Sequence, residues 1–306
     1  MISFVMMAKN MALYIEAAIA PMLEQQVVPW ELIVIDDHSD DGTYELVSAI
    51  CARDSRVRLF SNPFVGKVMG TNYGFEQSTG SIIKCVDSDD LLLGDFFSHY
   101  ENMNDYDAHL HSSTIVDKNL SALGEYHANS EIIDRDYEYV AANLLSVPKF
   151  SWSFSRPIAE KVFPIPEELP FEDVWMTVLI KKHAKEILNI GESLYLYRQH
   201  DEQTFGGIFN YSRTVRIFRA KRLIRLIDIF VRNDRIIGES GLSVESFKGA
   251  LAYNEFLSAQ NPSVLNLVKG PMTLRQKAKA ALIAYFPESL VRLVLKVKWI
   301  YDRAKN

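Results

Sequence analysis

Two cysteines in 306 residues leave little room for oxidative cross-linking. Cys51 falls in a predicted helix and Cys85 in a predicted strand, so no disulfide framework is expected and a reducing compartment suits the chain. The sequence also lacks any uninterrupted apolar run of about 18 residues, so no membrane-spanning helix is expected. Its opening, MISFVMMAKN, has no basic segment ahead of an apolar one, and no secretory signal peptide is expected. No G-x-G-x-x-G follows the first predicted strand. Gly66-Lys67-Val68-Met69-Gly70 has no Ser or Thr after its Gly-Lys, so it is not a P-loop. These absences argue against a dinucleotide oxidoreductase and a P-loop nucleotidase.

What is present is ordinary globular material. Hydrophobic residues make up 48% and charged residues 24%, enough for one large α/β domain and a smaller appendage. The net charge of -6 hides an asymmetry. Residues 1–210 carry 15 Lys/Arg against 32 Asp/Glu, whereas 211–235 and 272–306 each carry eight basic and two acidic residues. An acidic body with basic helices behind it does not suit nucleic acid; it suits an anionic membrane surface. The expected location is cytoplasmic, with peripheral attachment to the cytoplasmic face of the inner membrane as one form of it.

The first ninety residues alternate strand and helix signals. Strands are expected at Ser3 to Met7, Glu31 to Ile35, Val57 to Phe60 and Ser81 to Val86. Helices are expected at Met11 to Gln25, Tyr44 to Arg53 and Val68 to Gln77. This rhythm implies a mostly parallel sheet with helices on both faces. Further on, a strand is expected over Ala108 to Val116 and a helix over Arg135 to Leu145. A proline-punctuated loop is expected over Pro157 to Pro170, a helix over Phe171 to His183 and a short strand over Ser193 to Arg198. From Tyr211 onward the chain reads as helical. The division expected is 1–210 for an α/β domain and 211–306 for a basic helical region.

In such sheets ligands bind beyond the carboxyl ends of the strands, and two acidic clusters sit there. Asp87-Ser88-Asp89-Asp90 follows the fourth strand. Carboxylates one residue apart suit a hard divalent cation that keeps positions for water and phosphate. The plainer reading is an acidic turn capping a helix at Leu91. Asp36-Asp37-His38-Ser39 follows the second strand, where a carboxylate can accept from a base N–H or a ribose hydroxyl; here the plainer reading is a helix cap at Ser39 or Asp40. Glu172-Asp173 stands where a loop enters a helix. It offers a general base or simply favourable charge at a helix start. Arg198 and His200 could meet a diphosphate or a metal.

Taken in order, SFVMMAKN, WELIVIDDHSDDGT, the stretch Gly66 to Gly80 with Asn72 and Gly74, SIIKCVDSDDLLL, LPFEDVWMT and LYLYRQHDEQT resemble family 2 glycosyltransferases of the GT-A fold. The resemblance runs from Ser3 to about Thr204. It implies a Rossmann-like α/β fold and single-displacement, inverting transfer of a sugar from a nucleotide-sugar donor, most often a UDP-sugar. The acceptor would be a hydroxyl of a saccharide or lipid-linked saccharide, as in bacterial surface-polysaccharide synthesis. It further implies that Asp36 or Asp37 contacts the base, that Asp89, with Asp87 and His200, binds Mn2+ or Mg2+, and that Asp90 braces the loop or lies near the sugar. Asp173 becomes the general base, with Glu172 as its neighbour or substitute. The nucleotide-sugar site is expected to draw on Asn10, Asp36, Asp37, Ser39, Lys67, Asn72, Asp87, Ser88, Asp90 and Arg198. The sequence departs from the family pattern at Lys9, where a tyrosine is usual, at His38, where a glycine is usual, and at Thr71, where an arginine is usual.

Two other readings stay open beside this one: a sugar-nucleotide pyrophosphorylase, for which Lys9-Asn10 is a poor match, and a degenerate transferase acting as a scaffold. Near the C-terminus, Leu290, Val291, Leu293, Val294, Val297, Ile300 and Tyr301 alternate with Arg292, Lys296, Lys298 and Arg303. That pattern suits an in-plane membrane helix or a helix packed on the same chain or on a second copy in a homo-oligomer.

Overall fold

The computed structural model describes residues 1–127, 130–200, 212–238 and 241–294. The strands are β1 (Ile2–Ala8), β2 (Trp30–Asp36), β3 (Val57–Ser61), β4 (Ile82–Asp87), β5 (Leu91–Leu92), β6 (Ala108–Val116), β7 (Ala122–Tyr126), β8 (Trp152–Ser155) and β9 (Ile187–Arg198). The first helices are α1 (Ile15–Leu23), α2 (Thr43–Cys51), α3 (Lys67–Gln77), α4 (Tyr100–Met103), α5 (Ser130–Asp134), α6 (Tyr137–Ala142), α7 (Arg156–Val162) and α8 (Glu172–His183). The remaining helices are α9 (Arg213–Val231), α10 (Asp234–Ile237), α11 (Lys248–Ser258), α12 (Val264–Lys269) and α13 (Leu274–Tyr285).

The strands form one sheet in the order β3-β2-β1-β4-β8-β6-β9-β5, with β7 beside β6. β1 to β4 are mutually parallel, as the alternating sequence rhythm requires. Beyond β4 the sheet is mixed: β8 runs antiparallel to β4 and β6, while β6 and β9 are parallel. Every residue of β1 and β2 is buried, because both faces are covered. Ile2, Phe4 and Met6 pack with Ile15, Ile19 and Val47 from α1 and α2. The intervening Met7 faces the other way with Ile33 and Ile35, beside Tyr73 of α3. Gly74 permits this approach: a Cβ there would lie 2.6 Å from Val5 Cγ1.

Register brings the strand ends together. Ala8 pairs with Asp36 across β1 and β2, and Met7 with Asp87 across β1 and β4. Both acidic clusters therefore leave the same edge of the sheet.

Several local expectations are corrected. Pro157 to Pro170 is not all loop: α7 begins at Arg156 with Pro157 in its first turn, where a missing N–H costs nothing. The helix expected over Arg135 to Leu145 is shorter, Tyr137–Ala142, and starts where Asp136 caps it by accepting from the Tyr139 N–H; a separate helix, α5, ends just before that range. β9 is twice the expected length. Asp90 caps no helix; Leu91 opens a strand instead. The cap of α2 is Gly42, at φ 95, rather than Ser39 or Asp40. The acidic Asp41 then accepts from the Thr43 N–H at 3.0 Å.

The chain divides into two compact units. The first holds the sheet and comprises 1–135, 146–168 and 172–198. The second comprises 136–145, 169–171 and residues from 199 onward. Its core is built from Ala220, Phe256, Leu257, Met272 and Ala280. Within it Arg222 stacks 4.1 Å over Phe171 and donates to the Pro170 carbonyl. Among the described residues no helix is long and apolar enough to cross a membrane. The apolar-basic stretch expected over 290–301 is helical through 294, and its remainder lies outside the described residues.

Candidate active site

The loop after β2 is zipped to the loop after β1. The Asn10 N–H donates to Ser39 Oγ at 3.0 Å, and Asn10 Oδ1 accepts from the Asp40 N–H at 3.0 Å. Asn10 and His38 both take left-handed backbone, at φ 54 and 60, a region few non-glycine residues occupy. His38 Nε2 lies 2.9 Å from the Phe64 carbonyl.

The two aspartates of this cluster differ. Asp37 is buried, and its Oδ1 accepts from Asn62 Nδ2 at 2.7 Å and from the Gly66 N–H at 3.1 Å. Lys9 approaches its other oxygen at 3.7 Å. Asp36 is equally buried; its Oδ2 accepts from the Ser39 N–H, while its Oδ1 has no protein partner. A buried acceptor without a donor is costly, so Asp36 Oδ1 is the oxygen open to a ligand N–H or O–H.

β4 delivers Asp87. Its N–H donates to Tyr195 Oη at 2.9 Å, and its Oδ1 meets Lys67 Nζ at 3.1 Å and Lys149 Nζ at 3.2 Å. Burial opposes ionisation of Asp87, but the charges of Lys149 and Lys67 outweigh it and hold the carboxyl well below its usual range. Asp90 goes the other way. Burial, then the charges of Asp89 and Asp87, push its carboxyl well up. Its Oδ1 accepts from the Arg198 N–H at 2.7 Å, which clasps the end of β9 to the acidic run. The Arg198 guanidinium lies 4.8 Å from the Tyr14 ring. Ser88 is buried and Asp89 half-buried.

The third cluster comes from the start of α8. Glu172 is buried; its Oε1 lies 3.0 Å from Thr71 Oγ1 and its Oε2 3.4 Å from Lys149 Nζ. Asp173 is half-buried, and its Oδ1 accepts from the Lys149 N–H at 2.8 Å. Burial pushes the Asp173 carboxyl up to about 6, with the Lys149 N–H and ammonium resisting. A carboxylate titrating there is suited to accept a proton near neutrality.

The sheet thus gathers Lys67, Asp87, Glu172 and Asp173 around Lys149, a residue no sequence motif singled out. Asp36 and Asp37 stand at the neighbouring strand end. Asn72 is engaged elsewhere: its side-chain amide exchanges two bonds with the Ile165 backbone, at 2.8 and 2.7 Å. His200 lies two residues past β9, in the second unit.

Among the described residues no three His, Cys, Asp or Glu side chains are arranged to hold a metal ion. The acidic run nevertheless suits a hard cation. Its donors are carboxylate oxygens, those of Asp87, Asp89 and Asp90. Such a cation would take Asp87 and Asp89 and complete its shell with water and phosphate oxygens.

The model of the glycosyl transferase family 2 matches residues 3–188. A Campylobacter jejuni relative, GalNAc(5)-diNAcBac-PP-undecaprenol beta-1,3-glucosyltransferase, is 24% identical over 210 residues, covering 67% of each chain. The S. aureus TarS 1-349 structure in complex with UDP-GlcNAc superposes at TM-score 0.57 and 16% identity, covering 96% of this chain and 86% of that one. The mannosyltransferase PcManGT from Pyrobaculum calidifontis, in complex with GDP-Man and Mn2+, superposes at 0.55 with 18% identity, covering 97% of this chain and 79% of that one. At such identities the structures share the fold alone. The chain spans 38% to 72% of the length of the first curated relatives it matches.

Proposed function

The chain belongs to glycosyl transferase family 2, and we propose that it moves a sugar from a UDP-sugar to a hydroxyl of a saccharide or lipid-linked saccharide, inverting the anomeric centre, with Asp173 as general base. The observation that carries this reading is the half-buried Asp173 carboxyl, pushed up to about 6 and one residue, Lys149, away from Asp87. The acceptor oxygen attacks the anomeric carbon and a C–O bond forms. The bond from that carbon to the diphosphate oxygen breaks and its electron pair leaves with the diphosphate. The acceptor proton passes to an Asp173 oxygen.

The other residues bind and orient. Asp36 Oδ1 accepts from the base. Lys67 stands at the N-terminus of α3, where ammonium and helix dipole both favour phosphate. Asp89 and Asp87 would hold Mg2+ or Mn2+, which when bound offsets charge on the departing diphosphate. The Mn2+ in the Pyrobaculum structure and the UDP-GlcNAc in the TarS structure support this choice by analogy of fold. The Campylobacter relative, a glucosyltransferase named for an undecaprenol-linked substrate, supports a lipid-linked acceptor.

We assign catalysis to residues 1–210 and an accessory role to the basic helices of 211–306. Val264, Leu265, Val268 and Leu274 are 57% to 85% exposed at the tips of α12 and α13. Between 256 and 287 there are four basic residues, Lys269, Arg275, Lys277 and Lys279, and no acidic one. That combination suits an anionic bilayer surface.

A thermal-shift screen of nucleotide sugars with magnesium and manganese tests the donor. Asp89→Ala is expected to abolish the metal-dependent part of the shift. Asp173→Asn is expected to bind donor normally and to lose about 10²- to 10⁴-fold in transfer. Transfer at the normal rate by Asp173→Asn rules out this base.

A further inference from the structure

Lys149 occupies an unusual place. It lies in the 3-10 turn Lys149–Ser151, directly before β8. Its side chain is 4% exposed. Its ammonium sits between two carboxylates that belong to different halves of the site: Asp87 Oδ1 at 3.2 Å and Glu172 Oε2 at 3.4 Å. Its main-chain N–H points to a third, Asp173 Oδ1, at 2.8 Å. The turn lets backbone and side chain diverge in this way. A buried ammonium persists only where its partners offset the loss of water, and here Asp87 and Glu172 supply the opposing charge.

The contacts close into a ring. Asp87 also holds Lys67 Nζ at 3.1 Å. Thr71 Oγ1, one turn along α3, lies 2.8 Å from the Lys67 carbonyl and 3.0 Å from Glu172 Oε1. Glu172 returns to Lys149. The turn is itself anchored: Phe150 stacks on Tyr195 with ring centroids 4.3 Å apart, and Tyr195 Oη accepts from the Asp87 N–H.

We propose that Lys149 is a positioning residue for transfer: its N–H fixes the Asp173 carboxylate, while its ammonium ties that base to the donor-side Asp87 and neutralises Glu172, leaving Asp173 as the carboxylate that takes the acceptor proton. This rests on the reading of Asp173 as base. The charged and titratable groups around Asp173 are Lys149, Glu172, Lys67 and Tyr126. Of these cations, Lys67 is half exposed and Lys149 is shielded from water, so its charge acts most strongly.

The test compares Lys149→Met, Lys149→Arg, the charge-balanced pair Lys149→Met with Glu172→Gln, and Asp173→Asn, all in the full chain. Folding is read by thermal melting, and donor-site integrity by the shift that UDP with manganese produces. Transfer is read as kcat, donor KM and the pH profile of kcat/KM. Lys149→Met is expected to lower kcat by about 10²-fold and to move the acid limb up by about one pH unit, with the UDP shift kept. The double variant, which removes the ammonium together with its Glu172 partner, is expected to melt like the parent and to show the same lowered kcat, with the limb displaced less than in Lys149→Met because the Glu172 charge that raises Asp173 is gone as well. Lys149→Arg keeps the charge and is expected to return the limb to its original place.

A folded, UDP-binding double variant with parental kcat and limb overturns the proposal, since Lys149 would then only balance Glu172. An acid limb in Lys149→Arg displaced as far as in Lys149→Met also overturns it. The Asp173→Asn control separates the two levels. Should it transfer normally, the base assignment itself fails. Should it be inactive while the double variant is not, only the role of Lys149 falls.

Discussion

Asp173 feels two opposed influences, and their balance is measurable. Burial raises its carboxyl to about 6 against an ordinary value of 3.8, while Lys149 resists. A base must be unprotonated to work, so kcat/KM is expected to fall below about pH 6, read from a pH–rate profile. The same shift has a consequence for stability with a definite sign. Between 3.8 and about 6 the folded chain binds more protons at this site than the unfolded chain. The contribution of Asp173 to stability is therefore full below pH 4 and lost as pH rises through 6. Asp173→Asn, neutral at every pH, is expected to melt a few degrees above the parent at pH 8, with the gap closing by pH 4 in paired thermal melts. Lys84 shows the opposite arithmetic for a base. It is fully buried on β4, bonded to His111 Nε2 at 2.7 Å and to the Phe150 carbonyl, and burial pulls its ammonium down to about 7. The unfolded chain binds the extra proton between 7 and 10.5, so stability from this group rises with pH across that window. Urea midpoints of Lys84→Met between pH 7 and 9 are expected to rise less steeply than those of the parent.

At the scale of the element, α3 links packing to the site. It bears Lys67 and Thr71 on its first turns, and Gly74 lets it lie against β1 and β2. A Cβ at 74 would come 2.6 Å from Val5 Cγ1 and 3.2 Å from Ile35 Cγ1, both on branched side chains held in strands. Gly74→Ala is expected to cost about 1–3 kcal/mol through overpacking, measured by urea unfolding. Because the displaced helix carries Lys67, donor KM is expected to rise in the same variant. Gly70 is the softer position: a Cβ there meets the flexible end of Met7, so Gly70→Ala is expected to cost less. α7 and β9 show where local reading fell short. A proline pattern looks like a loop until the first-turn position of Pro157 is known. The first half of β9 carries Asn189 and Gly191, which weaken a strand signal that pairing with β6 restores.

The whole molecule is electrostatically divided, with acidic residues concentrated in 1–210 and basic ones in 211–235 and 272–306. Co-sedimentation with vesicles containing anionic lipid is expected to be strong at low salt and to weaken as the Debye length shortens. Leu265→Asp with Leu274→Asp, at exposed positions in α12 and α13, is expected to reduce that binding while leaving UDP binding unchanged. Binding as strong as the parent's, in this variant or in a chain lacking 272–306, speaks against the membrane surface.

The bare sequence specified the alternation of strand and helix through β4, because a two-residue apolar period and a 3.6-residue one are local properties. It also determined that Asp36-Asp37 and Asp87 to Asp90 stand at strand ends, and that Glu172-Asp173 opens a helix. Which of these groups meet depends on how the strands pair. Asp36 and Asp37 look interchangeable in the chain; the donors from Asn62 and Gly66 occupy one and leave an oxygen of the other open. Glu172 stands beside the expected base Asp173 in the chain, and the ammonium of Lys149 and the hydroxyl of Thr71 engage its carboxylate. Lys149 itself carries no local signal. Its importance comes from β8, which enters beside β4 in the antiparallel sense and draws the preceding turn to the end of Asp87. The reason is physical: a lone lysine after a proline is indifferent in an extended chain, and becomes decisive only when the fold removes it from water between two carboxylates 85 residues apart.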